Sequence, residues 1–240
     1  MKRNVYIVEA GVKEYHLTVL EDMYNEIMYN AHKRREEDAR GGKKKKSDKD
    51  EDTGIRISPF VTTLGLSPLL FTREVFWASS RLYAHAVAGE MNRATWMFGC
   101  ISLCLMSEEE LLTFLFNTRK QSDIGELELG ELESLVEGLH LSNTAFYGTF
   151  EEELKQIVEL QATAKIVVDL PYFKQLHVKH PMIFFPAFRL QELLQERTLK
   201  KVIWTKMRAR LDRYIAKEAA IANGTWKEPL ILGCIPRPGG

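Results

Sequence analysis

Ser107–His140 is built as two apolar helical stripes separated by a short polar loop, and that spacing limits the fold more than any other feature of the chain. The segment reads SEEELLTFLFNTRKQSDIGELELGELESLVEGLH. Ser107 and Glu110 form a capping box, in which hydroxyl and carboxylate each satisfy the other residue's free backbone N–H, so a helix starts here. Leu111, Leu112, Leu115 and Phe116 fall at helical spacing and predict a buried face. The pattern stops at Asn117–Gly125, and Leu127, Leu132, Leu135 and Val136 begin a second apolar helix. The result is helix, loop, helix, with a loop of roughly twelve residues.

Gly125, Leu127 and Glu131 have the spacing of a turn glycine, a loop-pairing aliphatic and a bidentate carboxylate at loop positions 6, 8 and 12. On these residues the segment resembles an EF-hand. Positions 1, 3 and 5 are then Lys120, Ser122 and Ile124. A cation and an aliphatic stand where carboxylates would bind, and a hard divalent cation needs six to eight oxygens. The skeleton is kept without the ligands.

The layout recurs on both sides. Upstream, Glu74, Val75 and Phe76 resemble an entering helix, with Gly89, Met91 and Trp96 at positions 6, 8 and 13. Ala84, Ala86, Ala88 and Thr95 then occupy positions 1, 3, 5 and 12. Downstream, the capping box Thr149–Glu152 opens a unit with Val168 and Phe173 at positions 8 and 13. Its positions 1, 3, 5, 6 and 12 are Gln161, Thr163, Lys165, Ile166 and Tyr172. A first unit pairs the helix Leu20–His32 with Ser58–Leu66 across the long link Lys33–Thr53. Over about residues 15–180 the chain resembles the EF-hand superfamily in the four-hand arrangement of calcineurin B-like and neuronal-sensor-like proteins. The resemblance implies an all-α fold: tandem helix–loop–helix units in two lobes, plus a long C-terminal helix. The expected divisions are an N-terminal segment 1–14, a degenerate pair 15–106 with a charged insertion 33–53, and a second pair 107–180. An amphipathic helical extension 181–223 and a tail 224–240 complete the chain.

The insertion Lys33–Asp52 holds nine basic and seven acidic residues around Gly41–Gly42, which predicts a solvated loop. Lys43–Lys46 is a candidate contact for an acidic surface such as a microtubule. Asp48, Asp50 and Asp52 alternate as the first three ligands of a calcium loop do, but Gly54 falls at position 7 and Pro59 at position 12. They are the candidate metal ligands of an alternative reading, a regulatory calcium-binding protein with one atypical site at 48–54.

Pro186 suits the first turn of a helix. Leu190, Leu193, Leu194, Leu199, Val202, Ile203, Met207, Leu211, Tyr214 and Ile215 form an apolar stripe that ends at Asn223–Gly224. A continuous helix of about 35 residues would be about 50 Å long, so it either breaks near Thr198 or extends past the lobe. Two readings compete: the helix fills the groove between hands with Phe184, Phe185, Phe188 and Trp204 as the plug, or its distal half binds a partner; the first is expected for Phe184–Leu194 and the second for Trp204–Ala216. Its basic distal half is expected to bind a partner through Trp204, Met207, Arg208, Leu211 and Arg213, residue types that include common interface anchors.

With 240 residues, 45% of them hydrophobic, the chain is long enough for a substantial core. Its 33 basic and 33 acidic residues leave no net charge to draw it toward nucleic acid or an acidic membrane. No signal-peptide apolar region precedes Glu9, and Thr95–Met106 is too short to span a bilayer. Cys100 and Cys104, one turn apart, read as core residues and Cys234 as part of the tail. His177 and His180 have no local carboxylate or thiol to complete a metal site. Gly41–Gly42–Lys43 lacks the rest of a phosphate loop, and no nucleophile elbow or dinucleotide fingerprint is present. The expectation is a non-catalytic protein without a cofactor, a calcium-independent adaptor or structural subunit of a larger assembly. Its expected location is intracellular, in cytoplasm or cytoskeleton, with a cilium or flagellum as a setting.

Overall fold

The computed structural model describes residues 7–40, 93–119, 125–140, 155–159 and 168–226, and most of these are helical. Helix α1 (Glu14–Arg40) is capped by a histidine: the Lys13 backbone N–H donates to His16 Nδ1 at 3.0 Å. His16, Leu20 and Ile27 are its buried residues. They face α2 (Arg93–Leu105), where the Trp96 indole N–H donates to the Leu20 carbonyl at 3.2 Å and Arg93 pairs with Glu21. The expected helix Leu20–His32 is thus longer at both ends, and Lys33–Arg40, expected as loop, is its last two turns. That stretch holds Lys, Arg, Glu, Asp and Ala with no Gly or Pro, so nothing in it stops a helix before Gly41.

Helix α2 buries Trp96, Cys100, Ile101, Leu103, Cys104 and Leu105, and only an interior helix is apolar on so many sides. Burial pushes both thiols upward in pKa, so Cys100 and Cys104 stay protonated. Helix α3 (Glu108–Arg119) follows after Met106 and Ser107. Strand β1 (Glu126–Leu127) and α4 (Leu129–His140) come next, then β2 (Val168–Asp169) and α5 (Leu170–Lys179). Helix α6 (Pro181–Arg197) is the centre of the packing: it lies against α2, α4, α5 and the last helix, α7 (Lys201–Ala222). Ala187, Leu190 and Leu194 carry its buried stripe onward from Ile183 and Phe184.

The single C-terminal helix is therefore two helices, broken near Thr198. Pro181, not Pro186, occupies the first turn, and Pro186 lies inside α6. An interior proline forfeits one backbone hydrogen bond, here to Met182, and the burial of its ring offsets part of that cost. At the break Thr198 Oγ1 donates to the Leu194 carbonyl at 2.6 Å and accepts the Trp204 indole N–H at 3.0 Å. Lys200 then adopts φ 73°, the one positive φ at a non-glycine among the described residues. Buried Leu199 and the Trp204 anchor hold it there. Lys200→Gly is expected to raise stability by about 1 kcal/mol, since relief of backbone strain exceeds glycine's extra entropy in the unfolded chain. A urea titration checks this; a loss of stability would show that the bend is not strained. At the far end α7 stops at Asn223, and Gly224 takes φ 68° just past the cap, as its sequence predicts.

The N-terminal segment closes over α7. Gly11, at φ 75°, lies where an added Cβ would sit 2.4 Å from the Arg210 guanidinium. His16 is buried beside it, and with Nδ1 accepting from Lys13, its Nε2 carries the proton and has no partner. Burial holds the imidazole below its ordinary pKa, and the charges of Lys13 and Arg210 act in the same direction. The unfolded chain therefore binds a proton that the folded chain refuses. His16's contribution is complete above the unfolded value of about 6.5 and is lost as pH falls through the lower folded value. The urea midpoint is expected to drop between about pH 7.5 and 5.5, and to drop less in His16→Gln.

Candidate functional site

Leu127 and Val168, which the sequence places at position 8 of successive loops, are cross-strand partners. Strands β1 and β2 pair antiparallel, with Glu126 opposite Asp169 and Leu127 opposite Val168. Both aliphatics are buried. Each strand leads into a helix beginning at position 10, Leu129 in one unit and Leu170 in the other. Gly125, at position 6, takes φ 86°, which a side chain would resist.

The carboxylates near these loops serve the helices. Glu131, at position 12, accepts from the backbone N–H of Glu128 at 2.8 Å and so caps α4. Asp169 caps α5 by accepting from the Tyr172 backbone N–H at 2.8 Å. In the second loop position 12 is Tyr172 itself, which offers no carboxylate. Among the described residues no three His, Cys, Asp or Glu side chains are grouped to hold a metal ion. Lys43–Lys46, Asp48, Asp50, Asp52, Lys120, Ser122, Ile124, Gln161, Thr163 and Lys165 lie outside the described residues.

The space between the helices is filled by the chain's own aromatic side chains. Phe116 of α3 meets Phe173 of α5 edge-on at 5.4 Å, and Phe173 meets Phe184 of α6 at 4.8 Å. Phe184 meets His177 at 5.7 Å, and His177 stacks on Phe188 at 4.9 Å. Phe116, Phe173 and Phe184 are buried, and Phe188 packs half-buried against them. Edge-on rings place positive edges on negative faces, which adds to their burial. His177 is tied by Nε2 to Glu108 at 3.1 Å, and Lys174 bonds Glu109 at 2.8 Å, which joins α5 to the start of α3. His180 sits at the α5–α6 junction, its backbone N–H on the Leu176 carbonyl.

A second construction lies at the α2–α3 junction. The capping box forms as its residues require: Ser107 N–H donates to Glu110 Oε2 at 2.8 Å, and Glu110 N–H to Ser107 Oγ at 3.2 Å. The end of α2 has no glycine cap, so its last carbonyls need donors from elsewhere. Helices α6 and α7 supply them. Gln191 donates to Leu103 at 2.7 Å and Met106 at 2.9 Å, Gln195 to Cys104 at 2.9 Å, and Arg208 to Leu105 at 2.8 Å. Arg208 also pairs with Glu110 and, at 2.6 Å, with Asp212. One arginine thereby joins the end of α2, the start of α3 and α7. Gln191 and Gln195, one turn apart beside the buried Leu190 and Leu194, were the sequence signal for this clamp.

The predicted partner contacts divide accordingly. Trp204, Met207 and Leu211 are buried in the core and are corrected here to internal anchors. Their stripe packs on α2 and α6, which removes it from any partner. Arg208 is engaged in the clamp. Arg213 alone of the five is exposed. No described helix is long and apolar enough to cross a membrane. Comparison of the chain with protein-family models, curated proteins and solved structures gives no match.

Proposed function

We propose that this chain is a non-catalytic, calcium-independent adaptor of EF-hand type, a fixed subunit of a larger assembly in a cytoskeletal or ciliary setting. The observation that carries the reading is the Leu127–Val168 pairing between two helix–loop–helix units, together with α6 seated among their helices. A sensor hand opens when calcium adds charge at the loop and exposes an apolar groove. Here Lys120 and Gln161 take the first ligand positions, Glu131 caps a helix, and Phe184 already occupies the interior. A lobe of this kind has nothing to expose on calcium addition. The clamp of Gln191, Gln195 and Arg208 on α2 supports the same view, since it holds the two halves in one arrangement.

Calorimetric titration of the full chain with calcium to millimolar concentration is expected to be flat. Thermal unfolding is the parallel check. Calcium present at 100 times the dissociation constant of a site would add roughly 2.7 kcal/mol, enough to move the midpoint by several degrees. A saturable isotherm overturns calcium independence, and its loss in Asp50→Asn would place the ion at 48–54. The assembly is tested by extracting source cells with detergent and then high salt. Retention in the insoluble fraction is the expected result, and release in the first wash removes the cytoskeletal setting.

A further inference from the structure

Lys206, Arg210, Arg213 and Lys217 follow one another along α7 at intervals of four, three and four residues. That spacing places all four on one stripe about 16 Å long. All are exposed, and among the described residues no carboxylate pairs with any of them; Lys217 Nζ lies over the Trp226 ring, 5.2 Å from its centroid. Several other basic residues of the described surface are paired: Arg93 with Glu21, Lys174 with Glu109, Arg189 and Lys201 with Glu192, and Arg208 with Glu110 and Asp212; what sets these four apart is their alignment along one stripe. Asp212 and Glu218, the acids of α7, project well to either side of the stripe by helical geometry. Beside it run Val202, Ala209 and Ala216, seven residues apart and exposed, a flat seam that another helix can approach closely.

We infer that this face of α7 docks an acidic helix of a partner protein, whose carboxylates repeat at the same spacing along a small-residue seam. Complementary charges flanking a seam are how paired helices set register and partner choice. The opposite face of α7 is used up in the core by Trp204, Met207 and Leu211, and the exposed apolar residues Val202 and Ile221 lie at opposite ends of the helix, so they form no continuous face for insertion into a bilayer. The chain's pI of about 7.0 is far from the basic footprint of a nucleic-acid binder. Arg210 is held in place across Gly11, which orders one of the four charges in advance. The inference gives a partner chemistry to the adaptor reading and rests on that reading only for the partner being a protein. Calcium independence stands or falls separately by the titration above.

The test is fluorescence anisotropy with the full chain and a stapled helical peptide bearing glutamates at four-three-four spacing beside alanines. The same peptide with lysines, phosphatidylserine vesicles and a DNA duplex are run in parallel. The glutamate peptide is expected to bind, and to bind more weakly as salt rises. Lys206→Glu/Arg213→Glu is expected to weaken it by about tenfold or more, because like charges then face each other. Its thermal midpoint is expected to be unchanged, since both side chains are exposed, and the Gln/Gln variant serves if the charge reversal fails to fold. Equal binding of both peptides, or no effect of the reversal, overturns the proposal. Tighter binding to vesicles or to the duplex also overturns it and assigns the stripe to a lipid or nucleic-acid phosphate.

Discussion

Phe184→Ala is expected to destabilise the fold by about 3–5 kcal/mol, the range for removing a fully buried aromatic ring. The ring has no exposed surface and lies between Phe173 and His177. Its loss removes two edge-on contacts and leaves a cavity between α5 and α6, elements already pinned by other contacts and unable to collapse around it. The comparison is Phe188→Ala, where the ring is half-buried at the edge of the same ladder and the loss is expected to be smaller. Urea unfolding gives both values. If α6 fills the lobe as proposed, Phe184→Ala also raises amide exchange in α4 and α5 selectively, because local opening there no longer has to displace the plug. A cost below about 1.5 kcal/mol would mean that the site relaxes easily and that α6 is not what holds the lobe.

Local rules made part of this legible. The capping box at Ser107–Glu110, the turn glycine at 125 and the stop at Asn223–Gly224 each depend on a few adjacent residues, and each forms as read. The pairing of Leu127 with Val168 joins two residues that the sequence puts at the same loop position. Length alone left two outcomes at Thr198, a break or an extension past the lobe, and the structure shows the break. What escaped was set by tertiary partners. Trp, Met and Leu fill buried cores and Trp is also common at interfaces, so the amphipathic stripe of α7 said that something covers it, without saying whether that cover is another protein or α2. Pro186 misled because its preference for a first turn is local, whereas burial of its ring, which lets an interior proline persist, is not. The role of the glutamines of α6 was not legible, since their acceptors lie 85–91 residues away in the chain.

Trp204→Ala is expected to cost about 3–5 kcal/mol as well, and it separates the corrected role of this residue from the one its sequence suggests. The indole is fully buried and its N–H ends on Thr198, which itself closes α6. Truncation therefore empties a core site and also frees the hydroxyl that orders the α6–α7 bend beside strained Lys200. Because α7 carries Arg208 into the clamp four residues later, loosening the bend should also weaken the hold on the Leu105 carbonyl and Glu110. A partner anchor would behave in the opposite way, losing binding at little cost in folding. Arg213→Ala supplies the contrast on the same helix: its guanidinium is exposed and, among the described residues, donates only to the Ala209 carbonyl within α7, so stability should change by less than about 0.5 kcal/mol. Urea midpoints of the two variants decide the matter. Near-native stability of Trp204→Ala would return the indole to the surface and restore the partner-binding reading of α7's apolar face.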